Sequence, residues 1–191
     1  EEDRRPGAPT QVPMVGSVSF GYRELDDWTR VARGEAEGHI YGRNTNPTVA
    51  AFEEKVRLLE GAEAATAFAT GMAAIAGTFW TLLAQGARVV STRDTYGGTS
   101  VLLTRHLPRW GVEVVLCDTE DTPALEAEMA RGCDLLYLET PTNPTLKVLD
   151  LERLCAAGRG AGATVVVDNT FATPVNQNPL ALGAHLVLHS C

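Results

Sequence analysis

The chain has 191 residues, a formal net charge of −8, 45% hydrophobic residues and 21% charged residues. This length allows a full core, and the composition is that of a globular protein, which excludes a disordered chain. The acidic balance argues against a nucleic-acid partner, because binding to phosphates needs a basic surface. No stretch approaches the ~18 apolar residues of a membrane span and no signal peptide is recognisable, so we expect a cytoplasmic protein that binds no membrane.

Neither the cysteines nor the histidines are spaced as metal ligands. The four cysteines are far apart, without a Cys-x-x-Cys pair, and no histidine pair lies near them. We therefore expect no metal site and reduced, structural thiols. The lysines, Lys55 and Lys147, lie in no motif that suits a nucleophilic amine. Such an amine needs desolvation or a cationic neighbour to lower its pKa.

The sequence up to residue 85 predicts an arm followed by two helices. Residues 1–13 hold three prolines and mixed charges, which indicates either a flexible lead-in or a remnant of a longer N-terminus, before an arm that reaches about Asn46. Asn46 is a predicted N-cap, with Pro47 at the first helical position. A predicted strand at residues 64–69 precedes a helix at residues 72–85 that is apolar almost all round and should be largely buried.

The rest of the chain alternates predicted strands and helices. Short apolar runs rich in β-branched residues are typical of strands buried on both faces. They lie at residues 88–92, 112–116, 135–139, 164–168 and 185–189. Helices are predicted at residues 98–110, 123–130 and 151–161, the last two with Thr122 and Asp150 as N-caps. This order predicts an α/β fold with a doubly wound, mostly parallel sheet.

Polar groups stand where predicted strands end, which is where open α/β sheets bind ligands. Asp168 ends one strand and Ser190 follows the last one. Gly71 and Met72 open the helix after the predicted strand at residues 64–69. The free N–H groups and positive dipole end of a helix favour a phosphate there, although a glycine at such a turn also serves packing alone.

Two further loops could either contact a ligand or form ordinary turns. In Tyr96–Thr99, two glycines after an aromatic residue would let the backbone pass close to a planar ligand while the ring stacks on it. In Glu139–Thr145, two prolines preset an extended turn and so position the side chain of Asn143. Glu139 itself is predicted to be structural support rather than a catalytic acid.

Six motifs in chain order resemble the Cys/Met-metabolism enzymes that use pyridoxal phosphate. They are Tyr41–Thr48, Ala69–Met72, Tyr96–Thr99, Glu139–Thr145, Asp168–Pro174 and Leu188–Cys191. The family includes cystathionine γ-synthase, cystathionine lyases, methionine γ-lyase and O-acylhomoserine sulfhydrylases. The resemblance implies a fold type I large domain over residues 47–191, incomplete and without the small C-terminal domain, after an arm over residues 1–46 that contacts a neighbouring subunit.

The resemblance also implies pyridoxal 5'-phosphate as the cofactor and a lyase or transferase reaction, γ-elimination or γ-replacement, on sulfur amino acids or homoserine derivatives. Asp168 would be catalytic by holding a proton on the pyridine nitrogen, which makes the ring an electron sink. Tyr96 would stack on the ring and exchange protons with the substrate. Asn143 would lie near the phenolic oxygen of the cofactor.

At the phosphate end, the resemblance assigns Gly71, Met72 and Ser190 as ligands. Tyr41 and Arg43 would reach into the site of a neighbouring subunit and bind its phosphate, which implies a homo-oligomer, typically a dimer of dimers. Taken alone, a Tyr-x-Arg pair fits a solvated loop equally well, although a guanidinium fork and a hydroxyl suit phosphate.

Several alternatives remain open on the sequence. In the family the last motif continues Thr-Lys, so we expect the Schiff-base lysine two residues beyond Cys191, and a catalytically inactive fragment is the alternative. A nucleotide-binding or regulatory α/β domain would need a Gly-x-Gly-x-x-Gly fingerprint, which is absent. Within the family, O-acylhomoserine sulfhydrylase and cystathionine β- or γ-lyase stay open. Gly98 stands where the best-known methionine γ-lyases carry cysteine, which predicts a roomier, permissive pocket.

Overall fold

The computed structural model describes residues 11–191. The chain divides into two compact units, the first with residues up to 58 and residues 63–67, the second with residues 59–62 and 68–191. The lead-in predicted over residues 1–13 lies, as far as residue 10, outside the described residues. The domain boundary predicted at residue 46 stays a prediction.

The first unit contains α1 (Leu25–Ala32), which the sequence analysis did not anticipate, and the start of α2 (Pro47–Glu60). The side chain of Asn46 accepts a hydrogen bond from the backbone N–H of Thr48 at 2.8 Å, so the predicted N-cap is confirmed. α2 ends before Gly61, whose φ is 65°. Glycine adopts this left-handed conformation without strain, which is why the helix ends there.

The second unit is built on a sheet with the strand order β2-β1-β3-β4-β5, and all the pairings among these strands are parallel. The strands are β1 (Arg88–Thr92), β2 (Glu113–Cys117), β3 (Leu135–Glu139), β4 (Thr164–Asp168) and β5 (Leu186–Leu188). β1, β3 and β4 have the predicted bounds. β2 lies one residue later than predicted, and β5 is shorter because only its central residues pair with β4.

Helices cover both faces of this sheet. They are α3 (Gly71–Leu82), α4 (Gly97–Val101), α5 (Thr122–Ala130), α6 (Leu151–Gly160) and the short α7 (Thr173–Asn176). Side chains of α5 and α6 share one buried cluster with Leu136 and Val165, whereas those of α3 share another with Leu135 and Val166. Because successive strand residues point to opposite faces, each face has its own core, and the predicted doubly wound α/β fold is confirmed.

The helix predicted over residues 98–110 is continuous but changes type along its length. α4 is followed by a π-helical turn (Leu102–His106) and a 3₁₀ turn (Leu107–Trp110). Pro108 has no N–H group, so the α-helical bond to the carbonyl of Thr104 cannot form. The helix widens before the proline and tightens around it, as single turns of these types commonly do.

Two predictions before β1 are wrong. Residues 64–69 form no strand, because the segment is mostly alanine, which has a weak preference for strands. α3 is buried along one face only. Its Ile75 and Phe79 pack on the sheet, but Trp80 is 62% exposed, so an apolar sequence all round did not mean a helix buried all round.

The caps of the next helices show why side-chain chemistry matters. α5 is capped by Asp121 and not by the predicted Thr122, since the carboxylate of Asp121 accepts from the N–H of Ala124 at 2.9 Å. A carboxylate is favoured at the positive end of a helix dipole. The predicted cap of α6 is confirmed, because Asp150 accepts from the N–H of Arg153 at 3.1 Å.

The described residues contain neither a membrane-spanning helix nor a cluster of metal ligands. No helix among them is long and apolar enough to cross a membrane, and no group of His, Cys, Asp or Glu side chains among them is arranged to hold a metal ion. The four cysteines are free thiols, and Cys117, Cys133 and Cys155 are buried whereas Cys191 is exposed. Burial raises the pKa of Cys155 to about 11, so this thiol stays protonated and unreactive at neutral pH.

Candidate active site

A cavity of about 370 Å³ lies in the second unit, at the carboxyl edge of the sheet. It is lined by residues that follow β1, end or follow β3 and β4, follow β5, or lie at the start of α3. They are Thr70, Gly71, Met72, Ile75, Tyr96, Glu139, Asn143, Asp168, Thr170, Phe171 and Ser190. The chain passes from β1 to β2 on one side and then returns to β3 on the other. Open α/β sheets bind ligands at such a switch point.

Asp168 is the acidic residue that ends β4, and its side chain is held by three hydrogen bonds. Oδ1 accepts from the N–H of Thr170 at 3.0 Å and from its hydroxyl at 2.6 Å. Oδ2 accepts from the hydroxyl of Tyr137 at 3.1 Å. Asp168 is only 6% exposed. A carboxylate has about four acceptor positions, so these donors orient the group and leave room for one more donor from the cavity.

Tyr137, the middle residue of β3, is the partner that the sequence analysis missed. It is fully buried, and its ring packs edge-to-face on Phe79 of α3 with the centroids 5.4 Å apart. Burial, and then the negative charge of Asp168, raise the pKa of Tyr137 well above its usual value. The hydroxyl therefore stays protonated and remains a donor. The signal was present as alternation, because Tyr137 and Glu139 are polar residues two apart in an apolar strand.

Glu139 ends β3 directly beside Asp168, its partner in the parallel register. Its Oε2 accepts from the N–H of Tyr96 at 2.8 Å and its Oε1 from the N–H of Asn143 at 3.0 Å. Burial raises the pKa of Glu139 to about 7, against the effect of these two hydrogen bonds, and the charge of Asp168 adds to the rise. One carboxylate thus ties together the two loops that carry Tyr96 and Asn143, which agrees with the predicted supporting role.

The other end of the cavity is made of the start of α3 and the residue that follows β5. Thr70 caps α3 by accepting from the N–H of Ala73 at 3.0 Å. The N–H groups of Gly71 and Met72 stand in the first turn, where helical geometry provides no partner within the helix. Ser190 packs directly on this turn, since a Cβ at Gly71 would lie 2.5 Å from its Cβ. Only glycine allows this approach.

A second missed residue, Thr170, links the two ends of the cavity. Its hydroxyl donates to Oδ1 of Asp168 at 2.6 Å and accepts from the N–H of Ser190 at 3.0 Å. The hydroxyl therefore sets the position of Ser190 relative to Asp168. A Thr two residues after a strand-ending Asp is a common turn residue, so the sequence offered no distinct signal for this role.

Tyr96 and Gly98 shape the wall of the cavity beside Met72. Tyr96 precedes α4 and is 47% exposed, with its ring available to a ligand. A Cβ at Gly98 would lie 2.7 Å from Sδ of Met72 and 2.8 Å from Cε1 of Tyr96. The space in front of Gly98 is filled by these two side chains. The glycine therefore lets them approach each other, and it does not open the extra room that the sequence analysis expected.

Tyr41 and Arg43 belong to the first unit and are not among the described residues that line the cavity. The guanidinium of Arg43 stacks on the ring of Tyr41, with its central carbon 4.6 Å from the ring centroid. Tyr41 pairs with Ser19 in an antiparallel bridge, and Gly42 donates to the carbonyl of Val18 at 2.7 Å. The pair is thus presented together on an ordered loop.

Lys147 forms ion pairs with two carboxylates and does not line the cavity. Its Nζ lies 3.0 Å from Asp94 and 3.1 Å from Glu120. These two carboxylates raise the pKa of Lys147, so its amine stays protonated and is a poor nucleophile. This agrees with the expectation that Lys147 lies in no nucleophilic motif.

The fold and the cavity define an α/β domain with a candidate ligand site at the carboxyl edge of a parallel sheet. The family described as Cys/Met metabolism PLP-dependent enzyme matches residues 1–191, and the chain belongs to this family. Its members are enzymes that depend on pyridoxal phosphate, so the resemblance found in the sequence is confirmed.

Individual relatives agree with this assignment. The chain is 41% identical over 180 residues to an L-methionine γ-lyase of Fusobacterium nucleatum, covering 94% of this chain and 46% of that protein. It is 40% identical to a cystathionine γ-lyase of Bacillus subtilis, covering 96% and 48%. A cystathionine γ-synthase structure from Xanthomonas oryzae, in complex with aminoacrylate and cysteine, superposes with a TM-score of 0.83 at 33% identity and covers 93% and 44%. The chain thus spans about half the length of the curated relatives it matches.

Proposed function

We propose that the cavity binds pyridoxal 5'-phosphate and that the full-length protein catalyses γ-elimination or γ-replacement on sulfur amino acids or homoserine derivatives. The observation that carries this proposal is the buried, triply hydrogen-bonded carboxylate of Asp168, which shares one cavity with the start of a helix. A buried carboxylate needs a cation or further donors for compensation, and a protonated ring nitrogen supplies both.

The phosphate end fits the cofactor for a different reason. The N–H groups of Gly71 and Met72 and the hydroxyl of Ser190 meet where the absence of a Cβ at Gly71 leaves the backbone accessible. Helix starts with free N–H groups bind phosphates without a charged side chain. We assign these three residues to the phosphate.

The remaining cavity residues would orient the ring. When bound, the cofactor supplies an electron sink for the substrate's α-carbon. Asp168 would hold a proton at the pyridine nitrogen, and Tyr137 and Thr170 keep its carboxylate in place. The ring of Tyr96 would stack on the cofactor and its hydroxyl would move a proton at the substrate. Asn143 would donate to the phenolic oxygen, with its backbone fixed by Glu139.

We further propose that the protein is a homo-oligomer, typically a dimer of dimers, in which Tyr41 and Arg43 complete the phosphate site of a partner chain. The chemistry of the two side chains supports this role. The stacked pair offers a guanidinium fork and a phenol hydroxyl, the donors that phosphate recognition uses. A cytoplasmic location for this chemistry also stays a prediction.

The substrate class is proposed from the relatives and from the cavity wall at Gly98. The named relatives include both lyases and a synthase, so elimination and replacement are both open. Gly98 keeps Tyr96 and Met72 close together, and the cysteine of the best-known methionine γ-lyases would have to push them apart. Because relatives named for methionine and for cystathionine match this chain about equally well, we propose a broad specificity in which methionine is one of several substrates. O-acylhomoserine sulfhydrylase and cystathionine β- or γ-lyase activities are the alternatives.

Titration of the cofactor-free, full-length protein with pyridoxal phosphate, followed by absorbance, tests the cofactor. Comparison of kcat/KM on methionine, on cystathionine and on O-acylhomoserine with a thiol then tests the substrate class. We expect saturable binding and measurable turnover of more than one substrate. Failure to bind pyridoxal phosphate would refute the proposed site. A preference for methionine above about a hundredfold, or 2.8 kcal/mol, would refute the broad specificity.

A further inference from the structure

A buried acid–histidine pair lies just behind the residue assigned to the phosphate. Nε2 of His189 is 2.6 Å from Oε1 of Glu60, and the two side chains are 11% and 3% exposed. Glu60 is the last residue of α2, and His189 directly follows β5. Neither residue lines the cavity, whereas Ser190, the next residue along, does. The pair therefore contacts no cavity ligand directly.

Glu60 is embedded in a network that uses its other acceptor positions. Asn169 donates from Nδ2 to Oε1 of Glu60 at 2.8 Å, and Asn178 donates to Oε2 at 3.4 Å. Gln177 holds the amide of Asn169 in turn, with a donation to its Oδ1 at 2.9 Å. Burying a carboxylate is costly unless donors surround it. The donors around Glu60 therefore have to be held in place, and this fixes the arrangement of the segments that follow the strands.

The network fixes three successive residues at the end of β5. The carbonyl of Leu188 accepts from the N–H of Asn169 at 2.8 Å, the ring of His189 is held by Glu60, and the N–H of Ser190 donates to Thr170. Side chains alternate along an extended chain, so a ring anchored at position 189 sends the next side chain the opposite way. That direction is toward the start of α3.

We propose that Glu60 and His189 are positioning residues for the anion-binding end of the cavity, acting through the direction of the Ser190 side chain. This inference rests on the proposed function, in which Ser190 binds the cofactor's phosphate. Without the ring of His189, the peptide between residues 189 and 190 is held by Thr170 alone and can rotate. The hydroxyl of Ser190 then leaves the first turn of α3 for part of the time.

The experiment compares two ligands that differ only in the phosphate. In the full-length, cofactor-free protein, dissociation constants for pyridoxal phosphate and for pyridoxal are measured in the wild type and in His189→Ala. We expect the affinity for pyridoxal phosphate to fall about tenfold, the effect of losing one charge-assisted hydrogen bond. The affinity for pyridoxal should change less than about twofold. His189→Gln, whose amide can still donate to Glu60, should keep most of the affinity that His189→Ala loses.

His106→Ala is the matched control, because His106 is exposed, and it should leave both affinities unchanged. If His189→Ala does not fold, His189→Leu, which fills the space of the ring but cannot donate to Glu60, is measured in the same way. Equal weakening of both ligands would mean general loosening and would overturn the inference, as would wild-type affinities in the variant. A wild type that binds neither ligand would overturn the proposed function and this inference with it.

Discussion

The two ends of the cavity are built on different principles. The carboxylate end depends on side chains, because Asp168 is held by Tyr137 and Thr170 and stands beside Glu139. The end that we propose binds the phosphate depends on the backbone, because the first turn of α3 supplies N–H groups and Ser190 adds a hydroxyl. A single substitution can remove the function of the first end. The second should respond mainly to changes in shape.

The largest effect is expected at the carboxylate end. Asp168→Asn keeps the shape and most hydrogen bonds but cannot hold a proton on a pyridine nitrogen. We expect kcat to fall at least about 150-fold, which corresponds to 3 kcal/mol of barrier, while the dissociation constant of pyridoxal phosphate changes less than tenfold. Asp121→Asn, a helix cap at which both residue types serve equally well, is the control. Near-normal turnover at full cofactor occupancy would refute the role of Asp168.

Glu139 provides a pH test of the same end. Its pKa is about 7 in the folded protein against an ordinary 4.5. Between these pH values the folded protein binds a proton that the unfolded chain has released, so the free energy of unfolding should fall as pH rises through this window. The fall is at most about 3 kcal/mol, and denaturant unfolding of the cofactor-free protein measures it. Glu139→Gln should flatten the profile, and Glu126→Gln should not, because the hydrogen bond to Arg153 lowers the pKa of Glu126 and so moves its titration below this window. A profile that rises with pH in the wild type and is unchanged by Glu139→Gln would contradict the assignment.

The end of the cavity that we propose binds the phosphate should be sensitive to shape. In Gly71→Ala the new Cβ would lie 2.5 Å from Cβ of Ser190, so either α3 or Ser190 has to move. Overpacking of this kind costs about 2 kcal/mol, and we expect the affinity for pyridoxal phosphate to fall roughly 30-fold. Gly97→Ala is the control, since a Cβ there has nothing within 4 Å. Equal effects of the two substitutions would show that the contact with Ser190 does not shape a phosphate site.

The smallest effect is expected for Arg43, because the backbone donors remain when it is lost. Arg43→Ala should lower the affinity for pyridoxal phosphate by about tenfold or less, the usual range for one exposed charged contact. If the residue serves a partner chain, mixing Arg43→Ala with Asp168→Asn creates hybrid dimers with one intact site, which is assayed at a pyridoxal phosphate concentration that loads wild-type sites but few Arg43→Ala sites. About a quarter of all sites would then be intact after full exchange. Exchange demonstrated by mass spectrometry without recovered activity would count against a shared site.

The fold was predictable where one physical rule dominates. Buried parallel strands read as apolar runs, so β1, β3 and β4 were located to the residue. The predictions failed where rules compete. The strand expected at residues 64–69 is absent because its alanines carry little preference for strands. The sequence predicted one uniform helix over residues 98–110, but Pro108 changes the helix type along this segment.

The candidate site divides in the same way. The residues that the sequence marked at strand ends, including Asp168, Asn143 and Ser190, do meet in one cavity. Some partners of these residues were not visible, because Thr170 and Glu60 look like ordinary turn and helix residues until distant segments are packed together. Gly98 shows the limit of reasoning from residue size, since its missing side chain is replaced by the neighbouring Met72.

The most direct test of the account is a crystal structure of the full-length protein grown with pyridoxal phosphate. We expect the ring nitrogen within hydrogen-bonding distance of Asp168, the ring of Tyr96 stacked on the cofactor, and the phosphate bound by the N–H of Gly71 and the hydroxyl of Ser190. A cofactor bound outside this cavity, or bound in it with the phosphate toward Asp168, would contradict the central claim.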